Sequence, residues 1–160
     1  MAETMKPKAD TIVWSSTFSC GIKIIDDQHK HLIDVVNDLI NHVPGTDEEE
    51  AAYVSKVFKD VITYVKVHFD TEEKIMKTTE YAGYAEHKAA HDNFILTVAG
   101  FMKNISAGNR LTLMTISKYL RDWILSHVGV MDKQYFDYFM KDAVRKKVEN
   151  LKLPAQDMEN

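Results

Sequence analysis

Five of the seven histidines in this 160-residue chain fall on the apolar side of helical segments, and no other feature narrows the fold as far. Around His29, the residues Ile25, Leu32, Ile33, Val36, Leu39, Ile40 and Val43 stand at −4, +3, +4, +7, +10, +11 and +14, the spacing of a single helix face. Val54, Val57, Phe58, Val61, Val65, Ile75 and Met76 share a face with His68, and Glu72 follows it one turn later. His87 and His91, four apart, are followed on their stripe by Phe94, Ile95, Val98, Met102 and Ile105. Leu113, Ile116, Leu120, Trp123 and Ile124 lead up to His127. The other two histidines serve as an internal control. At about 100° per residue His31 lies roughly 200° round from His29, on the solvent side, and His42 also falls off the stripe.

An unpaired polar group in a core costs about 1–3 kcal/mol, so something inside must satisfy these imidazoles. A lone core histidine is ordinarily hydrogen-bonded. Five together with Glu72 would need a large network among themselves, whereas a metal ion occupies several lone pairs at once. That donor set exceeds one tetrahedral zinc site and suits two iron ions sharing bridging carboxylates. Haem would use one or two axial residues and leave the other histidines unexplained.

The architecture follows from the breaks between stripes. Proline and glycine are scarce, three and six, and there is no sustained two-residue alternation, so helix dominates. Val43-Pro44-Gly45 ends one segment, Thr46-Asp47-Glu48-Glu49 offers a capping box, and Tyr81-Ala82-Gly83 and Ala107-Gly108-Asn109 mark two further turns. These breaks predict helices at Asp27 to Val43, Asp47 to Glu80, Tyr84 to Ala107 and Leu111 to about Met131. Connections that short demand antiparallel neighbours. The expected fold is all-α: an up-down-up-down four-helix bundle over residues 21–132, an N-terminal arm over 1–20 and a polar, helical C-terminal extension over 133–160, frayed from Pro154.

Composition excludes several classes of function. Twenty basic against 24 acidic residues give a net charge of −4 with no basic block, which argues against a nucleic-acid partner. Cys20 is the only cysteine, so no intrachain disulfide or CxxC motif can form, and a reducing cytoplasm fits best. Charges and Pro7 occupy the first ten residues where a signal peptide needs an apolar run, and no stretch reads as a membrane span. Cys20 itself reads as a small buried residue, Asp26 and Asp27 as helix caps, and Glu73, about 140° from His68, as solvated.

The spacing resembles the hemerythrin family, in its bacterial branch. The resemblance rests on Trp14, the run Gly21-Ile22-Lys23-Ile24-Ile25-Asp26-Asp27-Gln28-His29, His68-Phe69-Asp70-Thr71-Glu72-Glu73, His87-Lys88-Ala89-Ala90-His91, and His127 through Asp132. It implies one iron held by His87, His91 and His127 and another by His29 and His68, with Glu72, Asp132 and an oxo or hydroxo group bridging. It also implies reversible dioxygen binding at an open position on the second iron. Phe69, Trp123, Ile124 and Val128 fall where the family places its apolar oxygen pocket.

Asp132 is the one ligand that periodicity would not choose. Five residues after His127 it lies about 140° away on a regular helix, so the resemblance requires a wide π-type turn or a loosening near Gly129. Di-iron oxidases of the ferritin-like type use two Glu-x-x-His motifs, and this sequence has none. An oxygen carrier, store or sensor is therefore expected rather than an enzyme. A di-iron signalling module and a peroxidase- or oxidase-like enzyme are the alternatives.

Overall fold

The computed structural model describes residues 10–43, 45–107 and 112–151. Among these it contains six α-helices and no strand: α1 (Lys23–Asn41), α2 (Asp47–Thr79), α3 (Tyr84–Ser106), α4 (Leu113–Ser126), α5 (Asp132–Phe139) and α6 (Asp142–Glu149). A five-residue π-helical segment, His127–Met131, joins α4 to α5. Helix α1 packs against α2 and α4, and α2 against α3. Phe94 of α3 meets Trp123 of α4 with ring centroids 4.4 Å apart, which closes the four-helix bundle.

Each long helix buries the stripe that its sequence marks. Ile25, Leu32, Ile33, Val36 and Leu39 of α1, Val54, Phe58, Val61 and Val65 of α2, Phe94 and Val98 of α3, and Ile116, Leu120 and Ile124 of α4 are all buried. Ile40, Val57, Met102, Ile105 and Trp123 are partly buried, and two expected core residues are exposed. Val43 lies beyond the end of α1 and is 75 % exposed, and Ile95, at the edge of its stripe, is 37 % exposed.

The helix ends follow local chemistry. The Thr46–Glu49 capping box forms in full at the start of α2. Helix α4 begins at Leu113, where the Thr112 hydroxyl accepts from the Thr115 amide. Helix α1 starts four residues before the expected Asp27, because Asp26 does not cap its own helix. Its carboxylate accepts instead from the Ser19 hydroxyl and the Cys20 amide, at 2.6 and 2.7 Å, and so fixes the turn that precedes the helix. Gly21 takes a positive φ of 77° in that turn. The expected turns at Pro44 and Gly108-Asn109, the start at Leu111 and the end beyond Pro154 lie outside the described residues.

The two tails pack on different parts of the bundle. The Ile12 amide and carbonyl each bond the Asn37 side chain at 2.8 Å, and Phe18 is buried. The residues after Asp132 are helical, as expected, but they are not a polar appendage. Tyr135, Phe139 and Val144 form a second apolar cluster with Cys20, Ile25, Ile75 and Met76. The Tyr138 hydroxyl donates to the Thr79 carbonyl, tying α5 to the end of α2. No helix among the described residues is long and apolar enough to cross a membrane.

Candidate metal centre

His29, His68, Glu72, His87, His91, His127 and Asp132, the seven residues nominated above, converge in the bundle interior, and all seven are buried. They form two overlapping groups whose ligand-type atoms lie within 4.8 Å of one another: Glu72 with His87, His91 and His127, and His29 with His68, Glu72 and Asp132. Each carboxylate touches imidazoles of both groups. Glu72 Oε2 lies 3.1 Å from His91 Nε2, 3.4 Å from His87 Nε2 and 3.6 Å from His68 Nε2, while its Oε1 lies 3.8 Å from His29 Nε2. Asp132 Oδ2 lies 3.1 Å from His29 Nε2, and its Oδ1 lies 3.3 Å from both His87 and His127 Nε2.

Asp132 reaches this position through the π-helical segment. Its backbone amide donates to the carbonyl of His127, five residues back, where an α-helix would use a four-residue step. The wider turn brings a residue at +5 close to the direction of +4. Without it the carboxylate would point about 140° away from His127. Met131, which a regular helix would have turned inward, is only half-buried.

Three of the five imidazoles have their tautomer set by what they touch on the outer side. His29 Nδ1–H donates to the Phe18 carbonyl at 3.0 Å. His68 Nδ1–H donates to Gln28 Oε1 at 3.0 Å, and the Gln28 amide is itself oriented by donating to the Thr71 hydroxyl. His91 Nδ1–H donates to Glu73 Oε1 at 3.3 Å. These partner atoms only accept, so in the neutral ring the proton sits on Nδ1 and Nε2 presents a lone pair inward.

That arrangement leaves acceptors facing acceptors. His91 Nε2 and His127 Nε2 stand 3.1 Å apart. Among the described residues, the buried side-chain atoms without a hydrogen-bond partner are His29 Nε2, His68 Nε2, His127 Nδ1 and both oxygens of Asp132. Converging lone pairs of this kind require cations, and nitrogen with carboxylate oxygen is a donor set for borderline divalent metals. The protonation balance agrees. Burial works against charge on His29, yet Asp132 and Glu72 outweigh it and raise that imidazole to about 10. At His68 burial wins and the group is pushed down to about 3. Burial and the neighbouring Glu72 charge raise Asp132 to about 6. The two carboxylates thus keep their charge beside a positive one, which in the metal-free cluster is a proton on His29 and which a metal ion would replace.

The expected apolar wall adjoins this cluster. The Phe69 ring stacks on His91 at 3.7 Å and 8°, and the Trp123 indole stacks on His127 at 4.4 Å and 13°. Val128 and Ile124 are buried. Ile124, Trp123 and Phe94 border an apolar cavity of about 10 Å³. That is near the smallest space that holds one water, and it offers no polar partner, so it stays dry.

Four groups around the centre escape a reading of the sequence. Glu73 is not solvated. Its side chain is only 15 % exposed and receives His91, because at the flank of α2 it faces α3. Tyr135, 1 % exposed, donates its hydroxyl to Glu72 Oε1. It follows Asp132 by three residues, one turn on, and that spacing was a usable signal. Gln28 and the Phe18 carbonyl carried none. His31 and His42 take no part: His31 is exposed and packs on Tyr64, and His42 stacks on Tyr53 at 3.5 Å.

The family model described as the hemerythrin HHE cation binding domain matches residues 20–139. The chain belongs to the hemerythrin family. Among its relatives, the bacteriohemerythrin of Methylococcus capsulatus is 32 % identical over 78 % of this chain and 93 % of its own length. The myohemerythrin of Sipunculus nudus is 28 % identical over 81 % of this chain and 94 % of its own. A crystal structure of wild-type hemerythrin superposes with a TM-score of 0.70 at 31 % identity, covering 79 % of this chain and 95 % of that one. Both the π-helical segment and Tyr135 fall inside the hemerythrin-matched region.

Proposed function

We propose that this hemerythrin-family chain binds dioxygen reversibly at a pair of non-haem iron ions with an oxo or hydroxo bridge. His87, His91 and His127 would hold one ion, His29 and His68 the other, and Glu72 and Asp132 would span both. The observation that carries this reading is that both carboxylates contact imidazoles of both groups, a bridging arrangement with no use at a single-ion site. When bound, the iron pair supplies the redox chemistry that captures and releases dioxygen.

The chain's own residues set the conditions for that chemistry. Phe18, Gln28 and Glu73 fix three imidazoles with their lone pairs inward, so little reorganisation accompanies metal entry. Tyr135 holds Glu72 in place from outside the cluster. Phe69, Trp123, Ile124 and Val128 keep water from the centre, which favours reversible binding over irreversible oxidation. Five imidazoles against two carboxylates is a nitrogen-rich set, unlike the carboxylate-rich shell of di-iron oxidases, and this supports binding rather than turnover.

The test is metal analysis with visible spectroscopy. Two irons per chain are expected, together with a charge-transfer band that appears when the reduced protein meets air and bleaches under vacuum. One zinc per chain and a colourless protein would end the reading.

A further inference from the structure

The imidazoles do not lean on equivalent partners, and the carboxylate acceptor, Glu73, lies on the three-histidine side of the cluster. On the two-histidine side both outer acceptors are neutral: the Phe18 carbonyl behind His29 and the Gln28 amide behind His68. On the three-histidine side His91 donates to a carboxylate, Glu73. His127, in the same group, has no hydrogen-bond partner at Nδ1 and rests on the Trp123 indole instead.

Glu73 is held for this contact. Its Oε1 receives His91 at 3.3 Å while its Oε2 accepts the Tyr84 hydroxyl at 3.3 Å, so both oxygens are engaged by fixed groups. Lys77 and Lys88 approach at 3.9 and 4.0 Å, the outer limit of an ion pair, from side chains 58 % and 40 % exposed. Pairs of that kind contribute little. A role confined to surface ion pairing would not explain why the better contact goes to a histidine that is 1 % exposed.

We propose that Glu73 is a positioning residue that adds to the electronic inequality of two metal sites already unlike in histidine count. A carboxylate behind an imidazole orients the ring and raises its basicity more than a carbonyl or an amide does. His91 is therefore a stronger donor than His29 or His68, and the metal of the three-histidine site is held more tightly and favours its oxidised state more than its neighbour. The inference rests on the two-metal reading above.

Glu73→Gln tests it, because the amide keeps the size and an acceptor oxygen and removes the charge. The full chain loaded with iron-57 is examined by Mössbauer spectroscopy, and the affinities of the two sites are measured by ferrous titration against a chelator. Two irons should be retained. One of the two iron signals should shift while the other stays, and one affinity should fall roughly 10-fold, the lower end of what loss of an outer partner costs. In the metal-free protein the His91 Nδ1 proton should move in the nitrogen-15 spectrum while those of His29 and His68 do not. Glu73→Ala should enlarge every one of these changes.

Signals that shift together, or not at all, overturn the proposal. So does a loss of thermal stability with unchanged signals, which would make Glu73 merely structural. A wild-type chain that takes up no iron pair would end the parent reading, and this one with it. A normally loaded wild type with an unresponsive Glu73→Gln ends this inference alone.

Discussion

Removing the Tyr135 hydroxyl should weaken the metal-free protein more than its single lost contact suggests. Tyr135 is 1 % exposed and donates to Glu72 Oε1. Burial favours the neutral form of Glu72, but the imidazoles of His68, His29, His87 and His91 around it hold the carboxyl well below its usual range, so the acceptor is charged. A hydrogen bond to a charged group is worth about 1.5–3 kcal/mol. After Tyr135→Phe, Oε1 keeps His29 Nε2 at 3.8 Å, too far to replace the bond. No volume is lost, which removes a cavity cost from the comparison. A loss of about 2 kcal/mol is expected. With a urea slope of roughly 2 kcal/mol per molar, the unfolding midpoint should fall by about 1 M. Tyr138→Phe is the control, because its hydroxyl donates to the neutral Thr79 carbonyl and should cost about 1 kcal/mol. If Tyr135→Phe costs no more than Tyr138→Phe in metal-free protein, the charged, buried character assigned to Glu72 is wrong.

Three further outcomes follow from the geometry. His31→Ala and His42→Ala should keep full metal content, because neither ring belongs to the buried cluster and they pack on Tyr64 and Tyr53 instead, whereas His68→Ala should lose metal; equal losses by metal analysis would refute the division between inner and outer histidines. Asp132→Ala should release metal to a chelator far faster than Asp70→Ala, since Asp132 is buried against three imidazoles and Asp70 is an exposed partner of Lys66; similar release rates would remove Asp132 from the centre. Ile124→Ala should cost about 2–5 kcal/mol and enlarge the neighbouring cavity enough to admit water, so oxidation of the air-exposed protein should accelerate; an unchanged rate in a folded variant would mean that Ile124 does not guard the centre.

The helices and the direction of the five histidines were legible because burial imposes a period on the sequence. His29, His68, His87, His91 and His127 could be read inward, and His31 and His42 outward, from spacing alone. Asp132 could not, since its position depends on a backbone that leaves the regular period just where it is needed. Glu73 and Glu72 are neighbours with the same chemistry, and only the approach of α3 decides that one receives His91 and the other faces the cluster. The Phe18 carbonyl carries no side-chain signature at all. The residues after Asp132 read as polar because charged residues from Lys133 to Glu149 interrupt their apolar positions, of which Tyr135, Phe139 and Val144 are buried. They complete a cluster whose other members come from distant segments.

The π-helical segment has a consequence for changes in chain length. Deleting one residue from a regular helix turns everything beyond it by about 100°, and anywhere in the middle of α2 that would carry Glu72 or His68 away from the interior. Between His127 and Asp132 the helix already carries one residue more than its α-helical flanks require. A single deletion there would be absorbed by a return to the four-residue step. The carboxylate would then follow His127 by four positions, and Tyr135 would stay in phase behind it. This short stretch is where the chain can be shortened without shifting the frame on which its centre is built.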